Sequence, residues 1–169
     1  MEEEILDVVD EKDFVVRKAT RQEVREKGLL YRSSRVIILN SVGELLVQKR
    51  SSKKDIFSGY WDIGVAETVI SGEDYETAAW RGLEEETGVT KKGLESRLVY
   101  LFDLRYRSEW YNENSKVYKL VYDGNLTLDE NEVEKAQYLS IAGIKGIINH
   151  NPFHPSGKEA FEKYLKILE

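Results

Sequence analysis

The stretch that most constrains this chain runs from Trp61 to Val89, WDIGVAETVISGEDYETAAWRGLEEETGV. It reads as a strand, a Gly-containing loop and one acidic helix that ends in Glu84-Glu85-Glu86 and stops at Gly88. Three consecutive glutamates in a last helical turn face the negative end of the macrodipole. That arrangement is unfavourable for a bare helix. It becomes favourable once a divalent cation sits among the carboxylates. The helix is therefore expected at a functional centre, with the rest of the chain as scaffold and substrate wall.

Composition narrows what that centre can be. A chain of 169 residues is expected to form one domain, 1–169, with a real core. Its 41% hydrophobic and 33% charged residues fit a globular protein. A net charge of −6 argues against nucleic acid as a partner, because phosphate-backbone binding needs a basic face. It leaves room for a small phosphorylated ligand held through a metal. The absence of cysteine removes disulfides, thiolate nucleophiles and zinc–thiolate sites together. The two histidines, His150 and His154, lie far along the chain from the acidic helix. With no signal-like start and no run long enough to span a bilayer, the expectation is no membrane partner and a cytoplasmic location.

The order of elements points to a mixed sheet covered by helices. Residues 5–9 and 14–16 flank a polar turn and read as a hairpin, so residues 1–28 are expected on or beside the core. Thr20 and Glu23 form a capping box for a helix over 21–27 closed by Gly28. Residues 35–39 read as a buried strand, and 44–50 as its hairpin partner. Asp74 is the expected N-cap of a helix over 75–87. Residues 98–107 alternate as a long strand, with Leu98, Tyr100, Phe102, Leu104 and Tyr106 on one face. A polar loop over 108–115 then leads to a partner at 116–122. A strand at 133–139, a short helix begun by Ser140 and a last helix capped by Ser156 with Glu159 complete the chain.

On the acidic helix, Glu85 and Glu86 straddle the direction of Gly82, and Glu84 points away. Arg81 precedes Glu85 by four residues and can hold its carboxylate. Ligands that are all oxygen favour Mg2+ or Mn2+ over zinc. The implied reaction is metal-assisted attack of water on a phosphoanhydride. The competing account of such a charge run is a solvated helix face.

This region resembles the Nudix box, G-x5-E-x7-R-E-U-x-E-E-x-G-U, where U is bulky and aliphatic. Glu73, Arg81, Leu83, Glu85, Glu86, Gly88 and Val89 match in register within box residues 67–89. The hairpin before the core and the Pro-Phe-then-helix ending resemble the branch related to isopentenyl-diphosphate isomerase. The resemblance implies an α/β fold, the Nudix α/β/α sandwich with a mixed central sheet. It implies Mg2+-dependent cleavage of a nucleoside diphosphate linked to another moiety X, with a small nucleotide or diphosphate as partner. In that mechanism Glu85 and Glu86 hold the metal, and Arg81 and Glu73 position the carboxylates. Relatives are often dimers, which admits a homodimer.

Two departures stand out. Glu67 occupies the box's first Gly position, and Gly82 stands where the family has a metal-binding glutamate. The two changes read as a swap: Glu67, on the loop facing the helix, is expected to fill the space vacated at Gly82 and restore a metal ligand. The base is open among Glu67, Glu132 and Glu134, with Glu109 and Glu113 weaker candidates. Arg35, Lys49 and Arg50 are candidates for substrate phosphates. Tyr106, Trp110 and Tyr111 could stack on a flat group. His154 reads as a turn residue between Pro152 and Pro155. Two other functions compete with hydrolysis. Loss of glutamate at Gly82 would suit a catalytically weak or inactive nucleotide-binding module. An isomerase acting on a prenyl diphosphate is opposed by the lack of cysteine.

Overall fold

The computed structural model describes residues 3–169; Met1 and Glu2, at the start of the expected 1–28 segment, lie outside them. The elements in chain order are β1 (Ile5–Val9), β2 (Val15–Thr20), α1 (Arg21–Lys27), β3 (Leu30–Leu39), β4 (Leu45–Arg50), β5 (Trp61–Ile63), β6 (Val65–Thr68), α2 (Tyr75–Thr87), β7 (Val99–Arg107), β8 (Asn112–Val121), β9 (Val133–Leu139), α3 (Ile141–His150) and α4 (Pro155–Ile167). No helix among the described residues is long and apolar enough to cross a membrane.

β3 is the spine. It pairs in parallel with β8 along its whole length, from Leu30 opposite Asn112 to Leu39 opposite Val121, and β7 lies antiparallel on the far side of β8. On its other side β3 meets β6 antiparallel over Ser33–Val36 and touches β4 at Leu39. β4 in turn carries β5 and β9, both antiparallel. The sheet is mixed, as the order of elements implies.

Alternation along β3 and β4 sorts the core onto two faces. Val36, Ile38, Leu46 and Val65 pack against Ala79, Leu83 and Val89 of the α2 segment. Ile37, Leu45, Val47 and Ile63 face Ile144 of α3 and Ala160, Phe161 and Tyr164 of α4. Helices thus cover both faces, which is the α/β/α sandwich. The N-terminal hairpin and α1 build a third small cluster around Leu6, Val8, Ala19 and Val24. α1 and α2 start where their caps place them. Thr20 Oγ1 accepts from Glu23 N at 3.1 Å, and Asp74 Oδ1 accepts from Thr77 N at 2.7 Å.

Gly64 is where the chain changes partner, from β4 through β5 to β3 through β6. Its φ is +62°, and a Cβ there would lie 1.9 Å from the Val36 carbonyl oxygen. Only glycine meets both demands.

Several sequence expectations are corrected here. β8 begins at Asn112, so residues 112–115 are strand rather than loop; Glu113, Asn114 and Ser115 are polar yet buried. A register shift between Tyr100 and Phe102 breaks the alternation of β7 and leaves Tyr100 half exposed. α4 begins at Pro155, and Ser156 is not its cap: its hydroxyl is turned to Arg35. Glu67 lies in strand β6, not on a loop.

Replacing Gly64 with Ala forces a methyl into the β3 backbone as well as straining φ. The expected cost is about 3 kcal/mol or more, read as a lower urea midpoint with an unchanged m-value.

Candidate active site

A cleft of about 1320 Å³ runs across the molecule around the free edge of β6. One end is walled by Glu67, Arg81, Glu85, Glu86 and Glu132, and Arg50 at the end of β4, with Lys53 and Lys54 just after it, contributes to its side. α1 supplies the opposite wall with Arg21 and Arg25. Arg25 reaches Asp55 across the mouth at 3.8 Å.

At the acidic end, Arg81 organises its neighbours. Its Nε and Nη2 donate to the two carboxylate oxygens of Glu73, each at 2.9 Å, and Nη2 also donates to the Thr68 carbonyl at 2.7 Å. Glu73 is fixed further by accepting from Ile70 N. The remaining nitrogen, Nη1, lies 3.3 Å from Glu67 and 3.7 Å from Glu85. Arg81 therefore spends its fork on Glu73 and aims its last nitrogen at two cleft carboxylates. The expected pairing with Glu85 exists, but it is the weaker contact.

Glu67 lies directly over Gly82. A Cβ at position 82 would sit 2.7 Å from Glu67 Cβ and 3.2 Å from its Cγ. A glutamate at 82 and the present position of Glu67 exclude each other, so the two departures from the box are sterically coupled. Burial raises the proton affinity of the Glu67 carboxyl; the Arg81 charge opposes this and the Glu85 charge adds to it.

Glu86 is buried and accepts from Gln48 Nε2 at 2.7 Å. Burial pushes its carboxyl up to about 8 against the Gln48 hydrogen bond, and the charges of Glu67 and Glu132 add to the rise. Glu85 is exposed at the cleft mouth and Glu84 faces solvent. Glu132 pairs closely with Lys54.

Other sequence candidates go elsewhere. Arg35 is only 2% exposed, and its Nη1 donates to Asp62 Oδ1 at 2.6 Å and to the Ile63 carbonyl at 2.8 Å. It forms the cleft floor but is committed to Asp62, so the expected role as a free phosphate contact is corrected. Lys49 does not line the cleft. Alternation along β4 turns Gln48 toward Glu86 and Lys49 to the opposite face, where it meets Glu134 at 3.1 Å. Arg50 does reach the cleft, although its Nε is held by the Phe57 carbonyl. Sequence reasoning missed Lys53 and Lys54, a basic pair visible in the segment just before the Trp61 strand. It also missed Gln48 and Asp62, whose roles depend on partners distant in sequence.

His154 is not a turn residue. Its N–H donates to the Trp61 carbonyl at 2.7 Å, and its ring packs edge-on to Phe57 with centroids 4.6 Å apart. Burial, with some help from Arg35 and Arg50 and against the pull of Asp62, drives the imidazole down to about 4.

The sequence model of the NUDIX domain matches residues 30–164. The chain belongs to the Nudix family. It is 32% identical to an uncharacterized Nudix hydrolase of Pseudomonas aeruginosa over 162 residues, covering 96% of this chain and 94% of that one. A Nudix hydrolase of Streptomyces coelicolor is likewise 32% identical, over 95% of this chain and 88% of its own. The crystal structure of DR0079 from Deinococcus radiodurans superposes with a TM-score of 0.79 at 26% identity, covering 95% of this chain and 98% of that chain. The NUDIX domain of Shewanella oneidensis NrtR, solved with ADP ribose, shares the fold at a TM-score of 0.64 and 14% identity, over 82% of this chain and 88% of its own. The protein is thus a Nudix hydrolase, from a family whose hydrolases generally use divalent metals.

The carboxylates suit such a metal. The donors of this Nudix site are all oxygen, Glu86 is buried with only the Gln48 amide as its close partner, and Gln48 Oε1 beside it is buried without a hydrogen bond. Among the described residues no three acidic or histidine side chains close on one point.

The partly buried His154 links stability to pH. The unfolded chain binds a proton near 6.5 and the folded protein only near 4, so the folded state is favoured above 6.5 and loses that advantage as pH falls toward 4. The contribution is on the order of 3 kcal/mol over the window. His154→Gln should flatten the decline of the unfolding free energy between pH 7 and pH 4 by a comparable amount.

Proposed function

We propose that this Nudix hydrolase cleaves, with Mg2+, the diphosphate linkage of a nucleoside diphosphate joined to a second moiety X, giving a nucleotide and X-phosphate. The whole of 1–169 acts as one domain in this reading. The observation that carries it is the meeting, in one cleft, of Glu67, Glu85 and Glu86 with the cations of the segment after β4. ADP ribose, held by the NrtR domain, is a compound of this class.

Glu67, Glu85 and Glu86 would hold the cation, and Mn2+ suits the same oxygens. Bound there, the metal supplies charge neutralisation at the phosphoryl oxygens and activation of water. The chain's own residues do the rest. Arg81, braced by Glu73, orients Glu67 and Glu85. Lys53 and Lys54 neutralise phosphates along the cleft wall, and Arg50 contributes from the strand end. The general base is Glu67 or Glu132, since Glu134 faces away beside Lys49. Glu67 is the ligand that substitutes for the missing side chain at Gly82.

A swap-back series tests this. Glu67→Gln should weaken Mn2+ binding about tenfold to a hundredfold and lower kcat/KM on a nucleotide panel with it. Gly82→Glu alone should be impaired by its collision with Glu67. The Glu67→Gly, Gly82→Glu double variant should regain most of the metal affinity. A double variant no better than either single change would sink the swap. Failure of the wild-type protein to release nucleotide from any panel member with Mg2+ or Mn2+ would remove the functional reading itself.

A further inference from the structure

The cleft has a second end that the phosphate chemistry does not use. Tyr31, Ser33 and Arg35 lie on the α4 side of β3, whereas Ser34, opposite Glu67 in the β6 pairing, faces α2. Rounding β6, the cleft therefore passes from the acidic box to a pocket floored by these β3 residues and by Glu113 of β8.

Glu113 is the unusual member. It is 8% exposed, yet its carboxyl lines the cleft. The cation beside it, Arg35, is engaged by Asp62 and Ser156. Its hydrogen bond from the Tyr31 hydroxyl is long, at 3.5 Å, and its other donors are the hydroxyls of Ser33 and Ser156. A carboxyl withdrawn from water with only hydroxyl donors and no cation of its own is costly. A ligand that donates a hydrogen bond removes that cost, whereas an anion would increase it. At Glu113 itself the chemistry therefore favours a donor-bearing group over an anion. A flat face it would meet is present in Trp110, 76% exposed at the rim, beside Tyr111, which is buried against Tyr106.

We infer that Glu113 is a specificity-determining residue, which accepts a hydrogen bond from an N–H or O–H donor on the non-phosphate part of the substrate. The donor is an exocyclic amine of a base or a hydroxyl of the sugar; the chemistry at Glu113 is the same. The inference rests on the nucleoside diphosphate reading above, and it adds which feature of the nucleoside is sensed.

The test is calorimetric binding, with Mg2+, of non-hydrolysable α,β-methylene diphosphates. Cytidine against uridine, and adenosine against inosine, vary the base amine. Ribose against 2′-deoxyribose varies the sugar hydroxyl. The wild-type protein is expected to favour the member that carries the exocyclic amine or the 2′-hydroxyl in at least one pair by about tenfold or more. Glu113→Ala and the volume-conserving Glu113→Met, each first checked for folding by circular dichroism, should reduce that ratio to within about twofold. The pair that responds identifies the donor. No discrimination by the wild-type protein in any pair, or a wild-type ratio in a folded Glu113 variant, would overturn the inference while leaving hydrolysis intact. Binding of neither nucleotides nor methylene diphosphate itself by the wild-type protein would instead overturn the functional reading and this inference with it.

Discussion

The arrangement of this Nudix domain depends on a buried ion pair, Arg35 with Asp62. Two charges withdrawn from water are tolerable only when geometry and further hydrogen bonds compensate them. Here Arg35 also donates to the Ile63 carbonyl and to Ser156, and Asp62 accepts from Ile63 N. The pair thereby ties the spine strand β3, the short β5 and the start of α4 at one point. Gly157 makes this possible, because a Cβ there would lie 1.9 Å from Asp62 Oδ1. Burial works against the Asp62 carboxylate, and Arg35, helped by His154, more than offsets it, keeping it ionised below its ordinary range. The same contacts hold together the β3 residues that floor the cleft.

The acidic end is organised on the opposite plan. Its charges are not matched one to one within the fold. Arg81 satisfies Glu73 fully and two others only in part, and Glu86 has an amide as its close partner. A site that must take up and release a cation cannot be closed by its own ion pairs. Glu67 over Gly82 shows how tightly the space is allotted there. A side chain on either element fits, but not both.

Much of this was legible in the sequence because its causes are local. Caps at Thr20 and Asp74, the αL residues Gly28 and Gly88, and the spacing of Arg81, Glu85 and Glu86 act within a few residues of one another. Arg35 was misread as a phosphate contact because its partners stand 27 and 121 residues away. The polar start of β8 looked like a loop for a related reason. Asn112, Glu113 and Asn114 become strand by lying between β3 and β7, and local propensity carries no trace of the distant β3 pairing. Lys49 was assigned by proximity to the box, whereas strand alternation decides which face it serves.

The β3–β8 ladder has a kinetic meaning as well. It is parallel, and its partners are 82 residues apart, as at Tyr31 and Glu113. The hairpin, α1 and α2 can form from near neighbours, but the spine of the sheet must wait for a long loop to close. Chain entropy lost in that closure is recovered only when the ladder zips, which is the hallmark of slow, topology-limited folding. During synthesis the apolar residues of β3 and the inner face of α2 would emerge well before β8 arrives to complete the sheet. The same strand that floors the cleft thus sets the pace at which the cleft comes into being.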